Sequence, residues 1–256
     1  MKIIAFTQLH NEYEKGNLIN WFKSVEFCDY IFIYDQNSTK VNKDYYKKFN
    51  NTFVIESKTN NFKNELFCKA TLLKELLNQH PDVDWIFWMD GDTILNKFAT
   101  RENIESILMT CQEKAPNIDA LSLGHKNLWR SDTEYRIDNE YDWFDKNGRP
   151  AFWKNNGKLY FPEQSGLHMR QYPNGLTNIV RIKNPFLIHR GFATDEQIIE
   201  RYKYYKSQGQ NGWELERLID EETLALRTLV KEHLPDWYDV HDRKNEKTIK
   251  QLISHE

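Results

Sequence analysis

The sequence predicts an α/β fold in which a mostly parallel central sheet is flanked by helices. Two segments, Tyr30–Tyr34 and Asp84–Met89, are almost continuously apolar, which is typical of strands buried on both faces of a sheet. Two others, Asn17–Val25 and Glu65–Gln79, carry apolar residues at helical spacing. Because strands buried on both faces alternate with amphipathic helices, we expect a helix-covered sheet.

The remaining elements differ between the two halves of the chain. Short strands are expected at Lys2–Thr7 and Thr52–Ile55. The middle, roughly residues 124–185, is rich in aromatic residues and is interrupted by Gly and Pro, so we expect loops and short strands at one end of the sheet. No internal repeat or clear linker is present, which favours one domain over residues 1–256.

Two helices are expected near the C-terminus. After the apolar segment Phe186–His189, Thr194 and Gln197 form a capping box, which predicts that a helix begins there. A second amphipathic helix is expected over Leu215–Val230.

Composition and charge exclude several classes of protein. The 256 residues include 35 basic and 38 acidic side chains, whereas a general nucleic-acid binder shows a basic excess. Apolar runs reach about five residues, and a transmembrane helix needs about 20. The N-terminus lacks the apolar length of a signal peptide. The three cysteines, Cys28, Cys68 and Cys111, fit neither a disulfide framework nor a zinc motif, so we expect buried thiols and a cytoplasmic protein.

The strongest functional signal is a pair of carboxylates, Asp90 and Asp92, directly after a buried strand. Ligands of open α/β sheets bind beyond the carboxyl ends of the strands, so the pair should project into a binding site. Two carboxylates this close repel each other unless a cation lies near them, and Mg²⁺ or Mn²⁺ shared with substrate phosphates would provide it. Removing one charge is then expected to stabilise the ligand-free protein. The alternative is an ordinary Asp-Gly turn.

Two weaker signals lie at other strand ends. Asp35 begins a polar segment and has the chemistry to bind nucleoside hydroxyls or a base edge, although such a segment is also an ordinary turn. His189 ends an apolar strand and suits a neutral metal ligand, although it also suits a satisfied core histidine. The adjacent Arg190 suits a phosphate.

The order of these motifs resembles that of the nucleotide-sugar glycosyltransferases of the GT-A fold, most closely family 2 and its relatives. In those proteins a first strand is followed by an Asn-Glu pair and a helix. A second strand is then followed by an Asp-x-x-Ser-Thr motif, and an Asp-x-Asp motif comes later in the chain. The matching residues are Asn11, Glu12, Asp35, Ser38, Thr39, Asp90 and Asp92. The resemblance covers residues 1–95 and returns at residues 186–206.

The resemblance implies a metal-dependent glycosyltransferase with a GT-A-like single domain. Residues 1–123 would bind a nucleoside-diphosphate sugar, with UDP as the default carrier. Residues 124–256 would bind a carbohydrate acceptor, whose sugar rings suit stacking on the aromatic side chains. The acceptor is expected to be soluble or to be reached at a membrane surface.

The resemblance also implies roles for individual residues. Those implied to contact the nucleotide sugar are Thr7, Asn11, Glu12, Asp35, Asp90 and Arg190. Those implied to hold Mn²⁺ or Mg²⁺ are Asp90, Asp92 and His189. The metal would stabilise the charge of the leaving nucleoside diphosphate.

An inverting reaction, which is the outcome in family 2, needs a carboxylate that takes the proton of the acceptor hydroxyl. Four acidic residues that follow the metal motif are candidates: Asp138, which we place first, and Glu140, Asp142 and Glu163.

Three other functions share part of this pattern. A sugar nucleotidyltransferase would use a similar sheet and metal, but it shows a Gly-rich basic loop near the N-terminus. A haloacid-dehalogenase-type phosphatase places Thr or Val two residues after its second Asp, where this chain has Ile94. A non-catalytic sugar-binding protein is the third alternative.

Overall fold

A computed structural model of the protein describes residues 1–49, 51–60, 62–96, 99–138, 148–162, 164–166, 171–216, 218–219 and 231–233. The strands are β1 (Ile3–Leu9), β2 (Tyr30–Asp35), β3 (Thr52–Glu56), β4 (Trp85–Trp88), β5 (Thr93–Leu95), β6 (Ala120–Asn127), β7 (Glu134–Arg136), β8 (Arg149–Lys154), β9 (Ile179–His189) and β10 (Lys231–His233). The helices are α1 (Leu18–Val25), α2 (Lys43–Tyr46), α3 (Glu65–Gln79), α4 (Arg101–Lys114), α5 (Asp195–Ser207) and α6 (Trp213–Glu216), with a short 3₁₀ helix at Phe62–Asn64.

Within the described ranges, eight strands form one mixed sheet in the order β3-β2-β1-β4-β8-β6-β9-β5, while β7 and β10 form a separate antiparallel pair. Within the large sheet, β1 pairs in parallel with both β2 and β4, β2 with β3, and β6 with β9. Antiparallel pairs join β8 to β4 and β6, and β5 to β9. The predicted α/β class with a mostly parallel, helix-flanked sheet is therefore confirmed.

The central strands are buried on both faces, as their apolar sequences predict. Ile3 and Ala5 of β1 pack in the hydrophobic layer that includes α1, whereas Ile4 and Phe6 pack in the opposite layer with α3. Successive side chains of a strand point to opposite faces, so an uninterrupted apolar strand serves both layers. The helices predicted at Asn17–Val25 and at Glu65–Gln79 are present to within one residue.

The middle of the chain differs from the prediction, because β8 lies inside the sheet rather than at one end of it. Phe152 and Trp153 of β8 stack on Phe87 and Trp88 of β4, with ring centroids 4.5 and 6.3 Å apart. Pro150 resembles a strand breaker in the sequence. It is tolerated here because it lies where the β6–β8 register shifts, at an irregularity that accommodates proline.

Strand β9 is also longer than the apolar segment predicted at Phe186–His189. Lys183 and Asn184 are exposed and interrupt the apolar pattern, which hides the first half of the strand. The last residues of β9 pair with β5, and Thr93 lies opposite His189. This pairing brings the end of β9 to the turn that follows β4.

The C-terminal predictions are only partly covered by the structure. The capping box at Thr194 and Gln197 is present and begins α5. Most of the helix predicted over Leu215–Val230 lies outside the described residues. Cys68 is buried, whereas Cys28 and Cys111 are partly buried, and the thiols are free. In the described part of the chain, no helix is long and apolar enough to cross a membrane.

Candidate active site

The Asp-Gly-Asp turn lies at the carboxyl end of β4, where the chain order of the sheet changes direction. From β1 the chain moves outward to β2 and β3, and it then returns to β4 on the other side of β1. Such a switch point opens a crevice beyond the strand ends. The turn is closed by the amide of Thr93, which donates to the carbonyl of Asp90 at 3.0 Å.

Asp92 lies at the centre of a cluster that joins the two halves of the chain. Its Oδ2 is 3.1 Å from Nε2 of His189 and accepts a 2.7 Å hydrogen bond from Nη2 of Arg201. The amide of Arg190 donates to the carbonyl of Asp92 at 2.8 Å. Burial opposes the ionisation of Asp92, but the charge of His189, its hydrogen bond and the charge of Arg201 together hold the pKa of Asp92 well below its usual range.

Asp90 has the opposite electrostatics. Burial, together with the negative charge of Asp92, raises the pKa of Asp90 to about 6. The positive charges of Lys69 and Arg149 oppose this rise. The ionised form of Asp90 is therefore the one that a further cation would stabilise.

Two glycines allow close packing of side chains around this turn. A Cβ on Gly91 would lie 2.5 Å from Cδ2 of Leu9 and 2.7 Å from Cγ of Glu12, so a larger residue would force these side chains to shift. A Cβ on Gly191 would lie 2.6 Å from Oδ2 of Asp92 and 2.7 Å from Nε2 of His189. A side chain at position 191 would therefore overlap these two atoms and Nη2 of Arg201, which lies nearer still.

The chemical types of these donor atoms are those that a hard divalent cation prefers, and metal binding here stays a prediction. Carboxylate oxygens with one imidazole nitrogen suit Mn²⁺ or Mg²⁺, and Gly191 carries no Cβ, which would overlap Oδ2 of Asp92 and Nε2 of His189. Two of the three expected ligands are thus side by side, while Arg201 already contacts one of them. Among the described residues, no group of three or more His, Cys, Asp or Glu is arranged to hold a metal.

The loop after β1 is joined to the loop after β2. The amide of Asn11 donates to Oγ of Ser38 at 2.9 Å, and Oδ1 of Asn11 accepts from the amide of Thr39 at 2.9 Å. Asn11 adopts a left-handed backbone conformation, with φ of 56°. The Asn and Ser-Thr residues of the two predicted motifs therefore lie together.

Two other predicted residues of this region, Thr7 and Glu12, form hydrogen bonds with other groups of the protein. Thr7 is fully buried, and its hydroxyl donates to the carbonyl of Met89 at 2.7 Å. Glu12 accepts from Nδ2 of Asn17 at 2.9 Å and from Nζ of Lys15 at 2.8 Å. Burial raises the pKa of Glu12, an effect that Lys15 opposes.

The carboxylate of Asp35 is also hydrogen-bonded to residues of its own loop and of α2. Its side chain is buried; Oδ1 accepts from the amide of Ser38 at 2.7 Å, and Oδ2 accepts from the hydroxyl of Tyr46. The carboxylate thus orders the end of β2 and attaches α2 to it. Its contact with a nucleoside stays a prediction.

The remaining predicted residues are spread around the site. Arg190 is buried, with Nη2 3.8 Å from Oδ1 of Asp132. Both oxygens of Asp138 accept from Arg136, at 2.8 and 2.6 Å, and the Arg136 guanidinium lies 4.5 Å from the ring centroid of Trp129. The other three candidate bases, Glu140, Asp142 and Glu163, lie outside the described residues.

Two cationic residues near the carboxylates were not expected from the sequence. Lys69 is only 1% exposed; it pairs with Glu65 and lies 5.3 Å from the ring centroid of Trp88. A signal for it exists, because helical spacing from Leu66 and Leu72 places Lys69 on the buried face of α3. Arg201 has no comparable signal, since it is one of several basic residues in α5.

Comparisons with known proteins agree with this architecture. The model of the galactosyl transferase GMA12/MNN10 family matches residues 31–135, which is less than half of the chain and includes Asp35, Asp90 and Asp92. No curated protein matches the sequence.

Two solved structures illustrate the structural similarity. One is S. aureus TarS 1–349, with 15% identity, a TM-score of 0.48, and coverage of 78% of this chain and 65% of that one. The other is a glycosyltransferase involved in the glycosylation of the major capsid of PBCV-1, with 11% identity, a TM-score of 0.35, and coverage of 77% and 97%. The chain thus spans about two thirds of the TarS structure.

The family match bears on the resemblance to family 2 and its relatives. It confirms that resemblance at the level of the GT-A-like glycosyltransferases, although the matched model is that of a galactosyl transferase family. The ordered motifs and the family match over residues 31–135 thus agree in their similarity to glycosyltransferases.

Proposed function

We propose that the protein is a metal-dependent glycosyltransferase that moves a sugar from a nucleoside-diphosphate sugar, UDP-linked by default, to a carbohydrate hydroxyl. One observation carries the proposal: Oδ2 of Asp92 and Nε2 of His189 lie 3.1 Å apart beyond the carboxyl end of β4, beside a glycine, Gly191, on which a Cβ would overlap both atoms. The cytoplasmic location and an acceptor that is soluble or at a membrane surface are part of the same proposal.

The chain's own residues would prepare the donor site. Asp92, Asp90 and His189 would hold Mn²⁺ or Mg²⁺, and the ion when bound would stabilise the charge of the leaving diphosphate. The low pKa of Asp92 keeps its carboxylate ionised at neutral pH. Lys69 and Arg201 place positive charge near the two carboxylates, in surroundings of reduced solvent access.

The nucleoside would lie against the joined loops that follow β1 and β2. The Asn11 hydrogen bonds to Ser38 and Thr39 fix these loops relative to each other. A prearranged wall lowers the entropy lost when the ligand binds. We therefore assign Asn11 and Asp35 mainly to the shape of this wall.

An inverting reaction needs a general base beside the acceptor hydroxyl. A general base needs an available carboxylate oxygen, whereas both oxygens of Asp138 are occupied by Arg136. NMR of the product's anomeric proton would identify the stereochemical outcome directly.

A thermal-shift panel tests the proposed function. The full chain is heated with UDP, GDP, CMP or dTDP, each with and without Mn²⁺. We expect one nucleotide to raise the midpoint by about 5 °C at a concentration roughly 100-fold above its dissociation constant, and only with the metal. If no nucleotide shifts the midpoint of folded protein, the transferase proposal is wrong, and a non-catalytic protein or a phosphatase becomes the better explanation.

A further inference from the structure

Arg201 already occupies the carboxylate oxygen that a metal ion would need. Its Nη2 lies 2.7 Å from Oδ2 of Asp92, the same oxygen that is 3.1 Å from Nε2 of His189. The interaction is only partly shielded from water, with the Arg201 side chain 27% exposed and that of Asp92 14% exposed. One oxygen therefore faces an imidazole and a guanidinium within the same small space.

A divalent cation and this guanidinium cannot both take their closest positions at Oδ2. The space beside Asp92 and His189 is small, and a single Cβ on Gly191 would overlap the Asp92 oxygen, the His189 nitrogen and Nη2 of Arg201. Like charges at such distances repel each other, and partial burial reduces the screening by water. Arrival of the metal would therefore displace Arg201 from Asp92.

The displaced guanidinium has surroundings that would let it move without unfolding its helix. Its carbon Cζ lies 4.8 Å from the ring centroid of Phe192, which offers a stacking surface. The start of α5 is fixed independently by the Thr194 capping box and by the ion pair of Arg130 with Asp195. The backbone of α5 can therefore stay in place while the side chain of Arg201 changes partner.

On the basis of the proposed function, we propose that Arg201 exchanges partners during donor binding. In the metal-free protein it neutralises Asp92; when the cation takes Asp92, Arg201 turns to the diphosphate of the nucleotide sugar. A guanidinium presents a planar pair of N–H groups that matches phosphate oxygens. Arg201 is thus a diphosphate-binding residue whose guanidinium pairs with Asp92 until a metal ion binds there.

The test measures metal and nucleotide binding separately. Mn²⁺ alone is titrated into the full chain by calorimetry, and UDP and GDP are then titrated at saturating Mn²⁺. We expect Arg201→Gln to bind Mn²⁺ alone about tenfold more tightly than the wild type, because the competing ion pair is gone. The same variant should bind the nucleotide about tenfold more weakly, because a charged hydrogen bond is lost.

Two further variants separate exchange from a loss of structure. Lys203→Gln removes the same charge from an exposed position of α5, and both affinities should stay at the wild-type values. Arg201→Lys keeps the charge but lacks the planar fork, so nucleotide binding should weaken while Mn²⁺ binding is no weaker than in the wild type. If Arg201→Gln does not fold, the binding measurements with Arg201→Lys test the proposal in its place.

The outcomes distinguish this inference from the proposed function. Weaker or unchanged Mn²⁺ binding in Arg201→Gln, with wild-type protein that binds Mn²⁺ and a nucleotide, overturns the exchange and leaves the proposed function in place. Wild-type protein that binds neither Mn²⁺ nor a nucleotide overturns both.

Discussion

At the residue scale, the two aspartates of one short motif have opposite environments. Asp92 is stabilised as a carboxylate by His189 and Arg201, whereas Asp90 is destabilised by burial and by the charge of Asp92. The sequence alone presents them as a repelling pair, so that removal of Asp92 should stabilise the ligand-free protein. The structure gives the opposite expectation, because removal of Asp92 would leave Arg201 without its carboxylate.

We therefore expect Asp92→Asn to lower the free energy of unfolding by about 2 kcal/mol, since a partly buried charged hydrogen bond is lost. It should also abolish the metal-dependent nucleotide shift. Thermal melts with and without Mn²⁺ and UDP measure both effects. Asp195→Asn is the matched control: it breaks a surface pair with Arg130, should change stability by at most about 1 kcal/mol, and should keep the nucleotide shift. A normal shift in Asp92→Asn would contradict the metal assignment.

The site residues differ in how far the sequence predicts them. Asp90, Asp92 and His189 could be selected because each follows an apolar strand, and strand ends are where open sheets bind ligands. Arg201 could not, because its role depends on the placement of α5 beside the turn that follows β4. The sequence did not predict the pairing of Asp138 with Arg136 either, because that pairing depends on a guanidinium stacked on Trp129.

At the scale of elements, the short helix α2 is attached to the end of β2 by one side-chain contact. The hydroxyl of Tyr46 donates to Oδ2 of Asp35, and both residues are buried. Burial, with the charge of Asp35 as the next cause, raises the pKa of Tyr46 far above its usual value, so this hydroxyl stays protonated as a donor. The contact therefore sets the position of the loop that Asp35 begins.

We expect Tyr46→Phe to destabilise the protein by about 2 kcal/mol, because the buried Asp35 carboxylate loses a hydrogen-bond donor. The nucleotide-induced thermal shift should also become smaller, because the loop that would face the nucleoside is less ordered. Chemical denaturation and thermal shifts test the two parts. Tyr13→Phe removes a hydroxyl from a residue that is 39% exposed and should leave both quantities unchanged. Equal behaviour of the two variants would refute a positioning role for Tyr46.

Asp119, immediately before β6, joins three segments of the sheet. Its carboxylate accepts from Nδ2 of Asn156, from the amide and hydroxyl of Thr177, and from the amide of Asn178, at 2.7–3.1 Å. Partial burial opposes ionisation, but these donors, led by the Thr177 and Asn156 side chains, hold the pKa of Asp119 well below its usual value of 3.8. The carboxylate thus fixes the start of β9 relative to β6.

Because the folded-state pKa of Asp119 is lowered, its contribution to stability is present in full above pH 3.8 and is lost as the pH falls below that value. We expect Asp119→Asn to cost about 2 kcal/mol at pH 7. The difference from the wild type should shrink in denaturation curves recorded toward pH 2. Asp82→Asn removes an exposed charge, 67% accessible, and should have little effect at pH 7. A deficit in Asp119→Asn that stays constant with pH would contradict this explanation.

The elements also show where local sequence patterns stop being informative. The predicted α3 and the start of α5 agree with the structure, because their apolar periodicity and capping box are local signals. Strand β8 escaped prediction because its position between β4 and β6 depends on aromatic contacts with distant residues. The first half of β9 escaped because pairing with β6, rather than its own polarity, makes it a strand.

At the scale of the whole molecule, the candidate site joins segments that are about 100 residues apart. The turn after β4 is contacted by the end of β9 and by α5, through His189 and Arg201. The link is built into the sheet, because the antiparallel pairing of β5 with β9 places Thr93 opposite His189. Ligand binding at Asp92 should therefore raise the local stability of segments in both halves of the chain.

Hydrogen exchange followed by mass spectrometry tests this coupling. With Mn²⁺ and a nucleotide that gives a thermal shift, we expect slower exchange in residues 7–12, 35–39 and 190–201 together. The helix α4 provides an internal control, because its Arg101 donates to Phe27 and Asp29, which precede β2 at the opposite end of the sheet from Asp92, so its exchange should not change. Local opening rates report the stability of each segment separately, so the peptides distinguish a shared site from a local one. Protection restricted to the segments before residue 100 would mean that β9 and α5 only support the fold. Protection of all three segments would mean that the C-terminal half supplies part of the donor site.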